Sequence, residues 1–221
     1  MILDLGMTDY EKAYIAQCQL VSRRRLGEID DSLIITEHNP VFTIGRTGRR
    51  ENLLAGSLEM RKKKVRLIEV DRGGDITFHG PGQLVMYPII DLKSRSRDLH
   101  RYMRDLESII ISFLNIYGII AERLDGKTGV WVGGKKIASI GVGAKDWVTF
   151  HGLSVNIDVD LAYFSMIYPC GMKDIKMTSL REILGVRIDK AEAAAALVRS
   201  AKRVFNIKEP ALAGVPLGIA A

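Results

Sequence analysis

Cysteine is scarce: Cys18 and Cys170 are the only two in 221 residues. Two distant thiols do not make the disulfide framework of a small secreted domain. Neither lies in a CxxC pair or a Cys/His cluster, so no structural zinc site, and no other metal site, is expected. Long apolar runs are also missing; none approaches the roughly 20 residues that cross a bilayer. Met1 to Asp9 carries Asp4 and Asp9 but no basic start followed by an apolar stretch, as a signal peptide would have. A cytoplasmic protein without membrane association is the expectation. Linkers, repeats and low-complexity tracts are absent too, which favours a single domain over residues 1–221.

What is present is an ordinary globular balance, 47% hydrophobic and 26% charged, with a net charge of +6. Basic residues cluster at 45–50, 61–66 and 93–104. Such clusters suit acidic partners, or are simply solvated faces.

Periodicity outlines the elements. Thr8 with Glu11 reads as a capping box opening a helix whose core face holds Tyr14, Ile15, Cys18 and Val21, with Gly27 ending it. That gives Cys18 a packing role. Strands are expected at 32–37, 41–44, 65–70, 75–78 and 83–90. An amphipathic helix follows from Asp98 to Tyr117. Shorter strands are expected at 119–123, 130–132, 136–142, 147–150 and 153–157, with hairpin turns at Gly133-Gly134 and Ala144-Lys145-Asp146. Ser179 and Glu182 fit a second capping box, an Ala-rich helix covers 190–205, and 208–221 reads as an irregular tail. Hairpin-joined strands with long helices covering one face indicate an α+β, mixed α/β two-layer fold.

Three patches combine glycines with polar residues. In the run from Arg72 to Gln83, Gly73, Gly74, Gly80 and Gly82 would let backbone approach a ligand closely, or would serve two tight turns and a hairpin. Lys136 opens an apolar strand through Ser139, Ile140 and Gly141. Its ammonium would then be drawn inward and act as a proton acceptor, unless Lys135 and Lys136 are both hairpin lysines in water. Cys170, between Pro169 and Gly171, lies in a loop rather than on a core stripe, which leaves its thiol accessible. A free thiol needs a base to attack efficiently at neutral pH.

Together these segments resemble the lipoyl(octanoyl) transferases of lipoate biosynthesis. The resemblance runs through Arg72-Gly73-Gly74, Thr77-Phe78-His79-Gly80-Pro81-Gly82-Gln83 and Tyr87. It continues through Gly129-Val130-Trp131-Val132, Lys136 to Gly141, Phe150-His151-Gly152, Asn156 and Pro169-Cys170-Gly171, after Glu37 to Arg46 upstream. It is strongest over residues 30–185.

The resemblance implies a catalytic domain like that of the biotin and lipoate protein ligases, and a Cys170–Lys136 dyad. It implies octanoyl transfer from octanoyl-acyl carrier protein to a lysine of the lipoyl domains of 2-oxoacid dehydrogenase complexes and of the glycine cleavage H protein. Substrate contacts then fall to Arg72, Gly73, Gly74, Thr77, His79, Gly80, Tyr87, Ser139, Ile140, Gly141, His151, Gly152 and Asn156. A monomer without cofactor is implied, and Ile76, Phe78 and Tyr87 would wall the acyl channel.

Two rival readings are weighed. Gly45-Arg46-Thr47-Gly48-Arg49-Arg50 has some likeness to the adenylate loop of ATP-dependent biotin ligases, but a ligase has no need for the Pro169-Cys170-Gly171 loop. The basic clusters would suit a nucleic-acid or carrier-protein binding module, but no helix-turn-helix, zinc ligand set or RRM-like aromatic motif directs it, so no nucleic-acid partner is expected.

Overall fold

The period-two and period-3.6 stretches separate into strands and helices in the structure, a computed structural model that describes residues 1–207; the tail expected at 208–221 lies outside them. The strands are β1 (Ile2–Thr8), β2 (Ser32–His38), β3 (Val41–Ile44), β4 (Arg66–Glu69), β5 (Ile76–His79), β6 (Gln83–Ile89), β7 (Glu122–Leu124), β8 (Lys127–Val132), β9 (Lys135–Lys145) and β10 (Val148–Asn156). The helices are α1 (Tyr10–Arg25), α2 (Ser57–Lys62), α3 (Leu99–Asn115), α4 (Leu180–Leu184) and α5 (Lys190–Phe205). The fold is mixed α/β, as expected.

A seven-stranded sheet runs β1-β2-β6-β10-β9-β8-β7, and a three-stranded sheet runs β4-β3-β5. The large sheet is antiparallel except where β1 joins β2. Strand β6 explains how it is covered. Leu84 and Met86 point into a core shared with α3 and α5, while Val85, Tyr87 and Ile89 point into another shared with α1. Successive side chains take opposite faces, so a strand apolar throughout must be buried on both. The expectation that helices cover one face is therefore corrected: α1 covers part of the other. A third apolar cluster, around Phe42, Ile76 and Phe78, belongs to the small sheet. Among the described residues no helix is long and apolar enough to cross a membrane.

The largest departure is at the start of the chain. Thr8 ends β1 instead of capping α1, and Asp9 takes the cap position without a side-chain bond. The Glu11 carboxylate is engaged by Arg66 and cannot complete a capping box. The buried stripe of α1 is Tyr10, Ala13, Gln17, Leu20 and Val21, so Ile15 is 56% exposed and Cys18 lies on the surface. The polar Gln17 hid this stripe. It is tolerated inside because its Oε1 accepts the His151 backbone N–H at 2.7 Å.

Other elements kept their identity with shifted bounds. The strand expected at 119–123 begins at Glu122, leaving Ile120 92% exposed. The hairpin after β9 turns at Asp146-Trp147, both at positive φ, not at Ala144–Asp146. The strands expected at 147–150 and 153–157 are one strand, β10. Within it His151 has φ 54°. That residue breaks the alternation: Phe150 and His151 both lie on the α1 side, Phe150 in that core and His151 against Tyr10 and Tyr14. Asp98 caps α3 by accepting from the His100 and Arg101 N–H groups, and Ser179 caps α4 by accepting from Glu182. The Glu182 side chain turns outward to Lys135, so only one leg of that capping box forms.

Candidate active site

Strand β9 carries Lys136 inward. Its backbone is held on one side by the 176–178 segment, through Lys136 N–H to Lys176 O at 2.8 Å and Thr178 N–H to Lys136 O at 2.9 Å. The side chain is 1% exposed, and Nζ donates to Thr128 O at 2.9 Å and to Cys170 Sγ at 3.1 Å. The Trp131 ring lies 5.5 Å from the same nitrogen, a placement that favours its positive charge once it takes up a proton. Gly129 leaves room for the lysine: a Cβ there would stand 2.6 Å from Lys136 Cε. Lys135 is the exposed, paired lysine of the two.

Cys170 sits in the single turn Pro169–Gly171 at φ 57°, ψ 24°. A non-glycine residue held there costs of order 1–3 kcal/mol and persists only where the surroundings over-determine it. The surroundings do so. Tyr168 N–H donates to Asn52 O at 2.7 Å, and Leu53 bridges to Ile167. Asp75 Oδ2 accepts from Asn52 Nδ2 at 2.7 Å, and Asp75 Oδ1 from Ile76 N–H at 2.6 Å. A Cβ on Gly171, itself at φ 73°, would come within 2.7 Å of Asp75 Oδ2, so the cysteine loop packs directly on the glycine-rich segment.

A cavity of about 380 Å³ reaches Cys170. Small residues on β9 and β10 line it, Ser139 and Gly141 paired with Ser154 and Gly152. Arg72, Gly73, Gly74, Thr77, His79, Tyr87, Ile140 and His151, among the substrate contacts the resemblance implies, also line it.

Gly80 and Asn156 do not. Gly80 packs on the Phe78 ring, and Asn156 acts from behind. Its Oδ1 accepts from Gln83 Nε2 at 2.9 Å, and Gln83 Oε1 in turn accepts from His79 Nδ1 at 2.7 Å. Ile76 and Phe78 are not walls either. Alternation along β5 sends Thr77 and His79 to the cavity and their neighbours to the small-sheet core, where Phe78 stacks on Tyr163 at 4.4 Å.

Arg72 is buried, with Nη2 on Thr43 O at 2.8 Å and Thr43 Oγ1 at 2.9 Å, and Nη1 on Gly73 O at 3.0 Å. Burial lowers its pKa below the usual arginine value. Its Nε has no partner among the described residues.

The far end of the cavity is a cluster of histidines and tyrosines. Burial holds His79 down to about 3, and His38 and His151 to about 4, so all three are neutral at pH 7. The bonding then fixes their protons. His38 Nδ1 donates to Thr8 O at 3.0 Å, and its Nε2 accepts from Tyr87 OH at 2.7 Å. His151 Nε2 donates to Asp71 Oδ1 at 2.7 Å, and its Nδ1 accepts from Tyr10 OH at 3.2 Å. Burial pushes the Asp71 carboxyl up, but bonds from His151 and Tyr14 outweigh it and leave it below the ordinary value.

Tyr10, Asp71 and Asp75 escaped the sequence reading. Asp71 and Asp75 flank or lie inside the glycine-rich run, a signal that could have been used. Tyr10 lies on the α1 stripe that was read in the wrong register.

A buried lysine 3.1 Å from a cysteine thiol that lines a cavity is the candidate site. The family model of the lipoyl protein ligase A/B catalytic domain matches residues 9–202. An octanoyltransferase of Geobacter metallireducens is 49% identical over 185 residues, 84% of this chain and 84% of that protein. Among solved structures, a lipoate-protein ligase A bound with ATP has a TM-score of 0.77 at 18% identity, covering 93% of this chain and 85% of that one. The biotin protein ligase of Aquifex aeolicus scores 0.53 at 14% identity, over 93% and 68%. The two ligases share the fold. The chain belongs to the octanoyltransferase family and is an acyltransferase.

Proposed function

We propose that the chain moves an octanoyl group from octanoyl-acyl carrier protein to a lysine of a lipoyl domain through a thioester on Cys170, the first step of protein lipoylation. The observation that carries this reading is the 3.1 Å contact between Lys136 Nζ and Cys170 Sγ at a cavity floored by small residues of β9 and β10. The Cys170 proton passes to Lys136, and the thiolate attacks the donor thioester carbonyl. The carrier's thiolate leaves and takes the proton back from Lys136. The acceptor lysine amine then attacks the new thioester and loses a proton to Lys136, and Cys170 is released as a thiolate and reprotonated. Sulfur suits both steps because a thiolate is a good nucleophile and a good leaving group. The net charge of +6 favours an acidic carrier protein, with association that weakens as salt rises.

Residues 1–221 then act as one catalytic unit, a monomer in the cytoplasm that needs no cofactor. Its acceptors are the lipoyl domains of 2-oxoacid dehydrogenase complexes and of the glycine cleavage H protein.

The test is to mix the protein with octanoyl-acyl carrier protein and a lipoyl domain, without nucleotide, and to weigh the lipoyl domain. A gain of one octanoyl group supports transfer. Modification only when ATP and free octanoate are supplied would replace this reading with an adenylate-forming ligase.

A further inference from the structure

We infer that Tyr10 is the stop that limits the length of the acyl chain the enzyme accepts, an inference that rests on the reading of Cys170 as acyl carrier. Tyr10 lines two neighbouring cavities and is the one residue that those two share. One is the cavity of about 380 Å³ that reaches Cys170; the other, about 440 Å³, lies outside it and includes Tyr14, Ile68 and Val70 in its lining. The tyrosine ring lies between them, beside the bonded His151–Asp71 pair whose members line one cavity each.

The approach to that ring is open. Gly141 and Gly152 face each other in the ladder, as do Ser139 and Ser154, so the strands themselves put no large side chain there, and the Arg72 stem packed over Gly141 forms one wall. An acyl chain attached at Cys170 therefore has a lane along β9 and β10 toward the α1 side. There it meets a ring that is fixed in place. Tyr10 is buried, its hydroxyl bonds His151 Nδ1 at 3.2 Å, and it stacks with His79 at 6.0 Å and 19° and with His151 at 6.5 Å and 18°. These rings carry no charge at neutral pH, so the end wall tolerates a terminal methyl group.

Shortening residue 10 joins the lane to the outer cavity, where Ile68 and Val70 offer apolar surface to further carbons. A fully buried methylene favours binding about fourfold, equivalent to roughly 0.8 kcal/mol. The outer cavity is partly open to solvent. Four extra methylenes should then raise the dodecanoyl-to-octanoyl rate ratio by about tenfold or more rather than the full product.

The experiment measures formation of the Cys170 adduct by quenched intact-protein mass spectrometry. Donors are hexanoyl-, octanoyl-, decanoyl- and dodecanoyl-acyl carrier protein; proteins are wild type, Tyr10→Leu, Tyr10→Phe and Tyr10→Trp. Tyr10→Leu should raise the dodecanoyl-to-octanoyl ratio by about tenfold, and Tyr10→Phe, which keeps the ring, should leave it unchanged. Tyr10→Trp should move the wall inward and favour hexanoyl over octanoyl, which decides the matter if the leucine variant does not fold. Wild-type chain-length profiles in folded Tyr10→Leu or Tyr10→Trp would overturn the inference while leaving the Cys170 mechanism standing. If wild type forms no adduct with octanoyl donor, the underlying reading fails first.

Discussion

Replacing Gly129 by alanine tests whether the position of Lys136 carries the chemistry. Gly129 has φ 120°, a conformation side chains rarely adopt, and a Cβ there would stand 2.6 Å from Ala138 O, 2.6 Å from Lys136 Cε and 3.1 Å from Lys136 Nζ. Ala138 O belongs to the β8–β9 ladder and cannot move cheaply. Lys136 is buried and already committed to Thr128 O and Cys170 Sγ, so it has no free rotamer to escape into. Backbone strain of about 1–3 kcal/mol and overpacking of about 1–3 kcal/mol sum to roughly 2–6 kcal/mol of lost stability. At about 2–4 °C per kcal/mol for a chain of this size, Tm should fall by about 10 °C. A lysine pushed aside by about 1 Å should also lower the transfer rate of the folded protein by on the order of 10²-fold.

The control is Gly133→Ala. Gly133 also has positive φ, 54°, but a Cβ there meets nothing within 4 Å, so it feels the conformational cost alone. That cost is about 1–2 kcal/mol and should leave the rate intact. Both variants are assayed for thermal unfolding and, well below Tm, for octanoyl transfer. Equal rates for Gly129→Ala, Gly133→Ala and wild type would refute the claim that the lysine's exact seat matters.

Three further outcomes are expected. Cys170→Ala should fold normally and form no acyl adduct, whereas Cys18→Ala, altered at a surface thiol, should transfer at the wild-type rate; the reverse pattern would mean the thiols are misassigned. Lys136→Met, close to isosteric, should lower the rate by on the order of 10²–10⁴-fold, the usual worth of a positioned base, and a rate within twofold of wild type would remove Lys136 from that role. The buried histidines set a pH dependence. Their folded pKa values, about 3 for His79 and about 4 for His38 and His151, lie below the ordinary histidine value of 6.5, so between these limits the unfolded chain binds more protons. This contribution to stability is full above pH 6.5 and is lost as pH falls toward 4. Urea unfolding should show a smaller loss between about pH 7 and pH 5 in His38→Asn than in wild type. Identical losses would contradict the assignment of His38 as buried and neutral.

The order of strands and helices was legible because most are long and strongly patterned. The amphipathic stripe of α3 and the Asp98 and Ser179 caps are local signals that tertiary structure did not override. The first helix was misread for a definite reason: its buried stripe includes the polar Gln17, and Thr8 was spent on an edge strand that pairs with β2. Residue types and motif resemblance single out Cys170 and Lys136, which the structure places 3.1 Å apart, yet the brace beneath them was not legible. Asp75 acts through Asn52 and Gly171, positions remote in sequence that meet only after the two sheets form. The likeness of Ile76 and Phe78 to channel walls failed because the motif lies on a strand. Only alternate residues can face one cavity, and Thr77 and His79 are the pair that do.

The central claim is an acyl-enzyme on Cys170 that lies on the route to product. The direct measurement is to load the protein with octanoyl-acyl carrier protein in the absence of ATP, remove the donor, locate the added mass by peptide mapping, and then add a lipoyl domain and follow discharge by rapid quench. The expected result is one octanoyl group on Cys170 that moves to the lipoyl-domain lysine at least as fast as steady-state turnover. An adduct on another residue, or one that discharges more slowly than turnover, would contradict it.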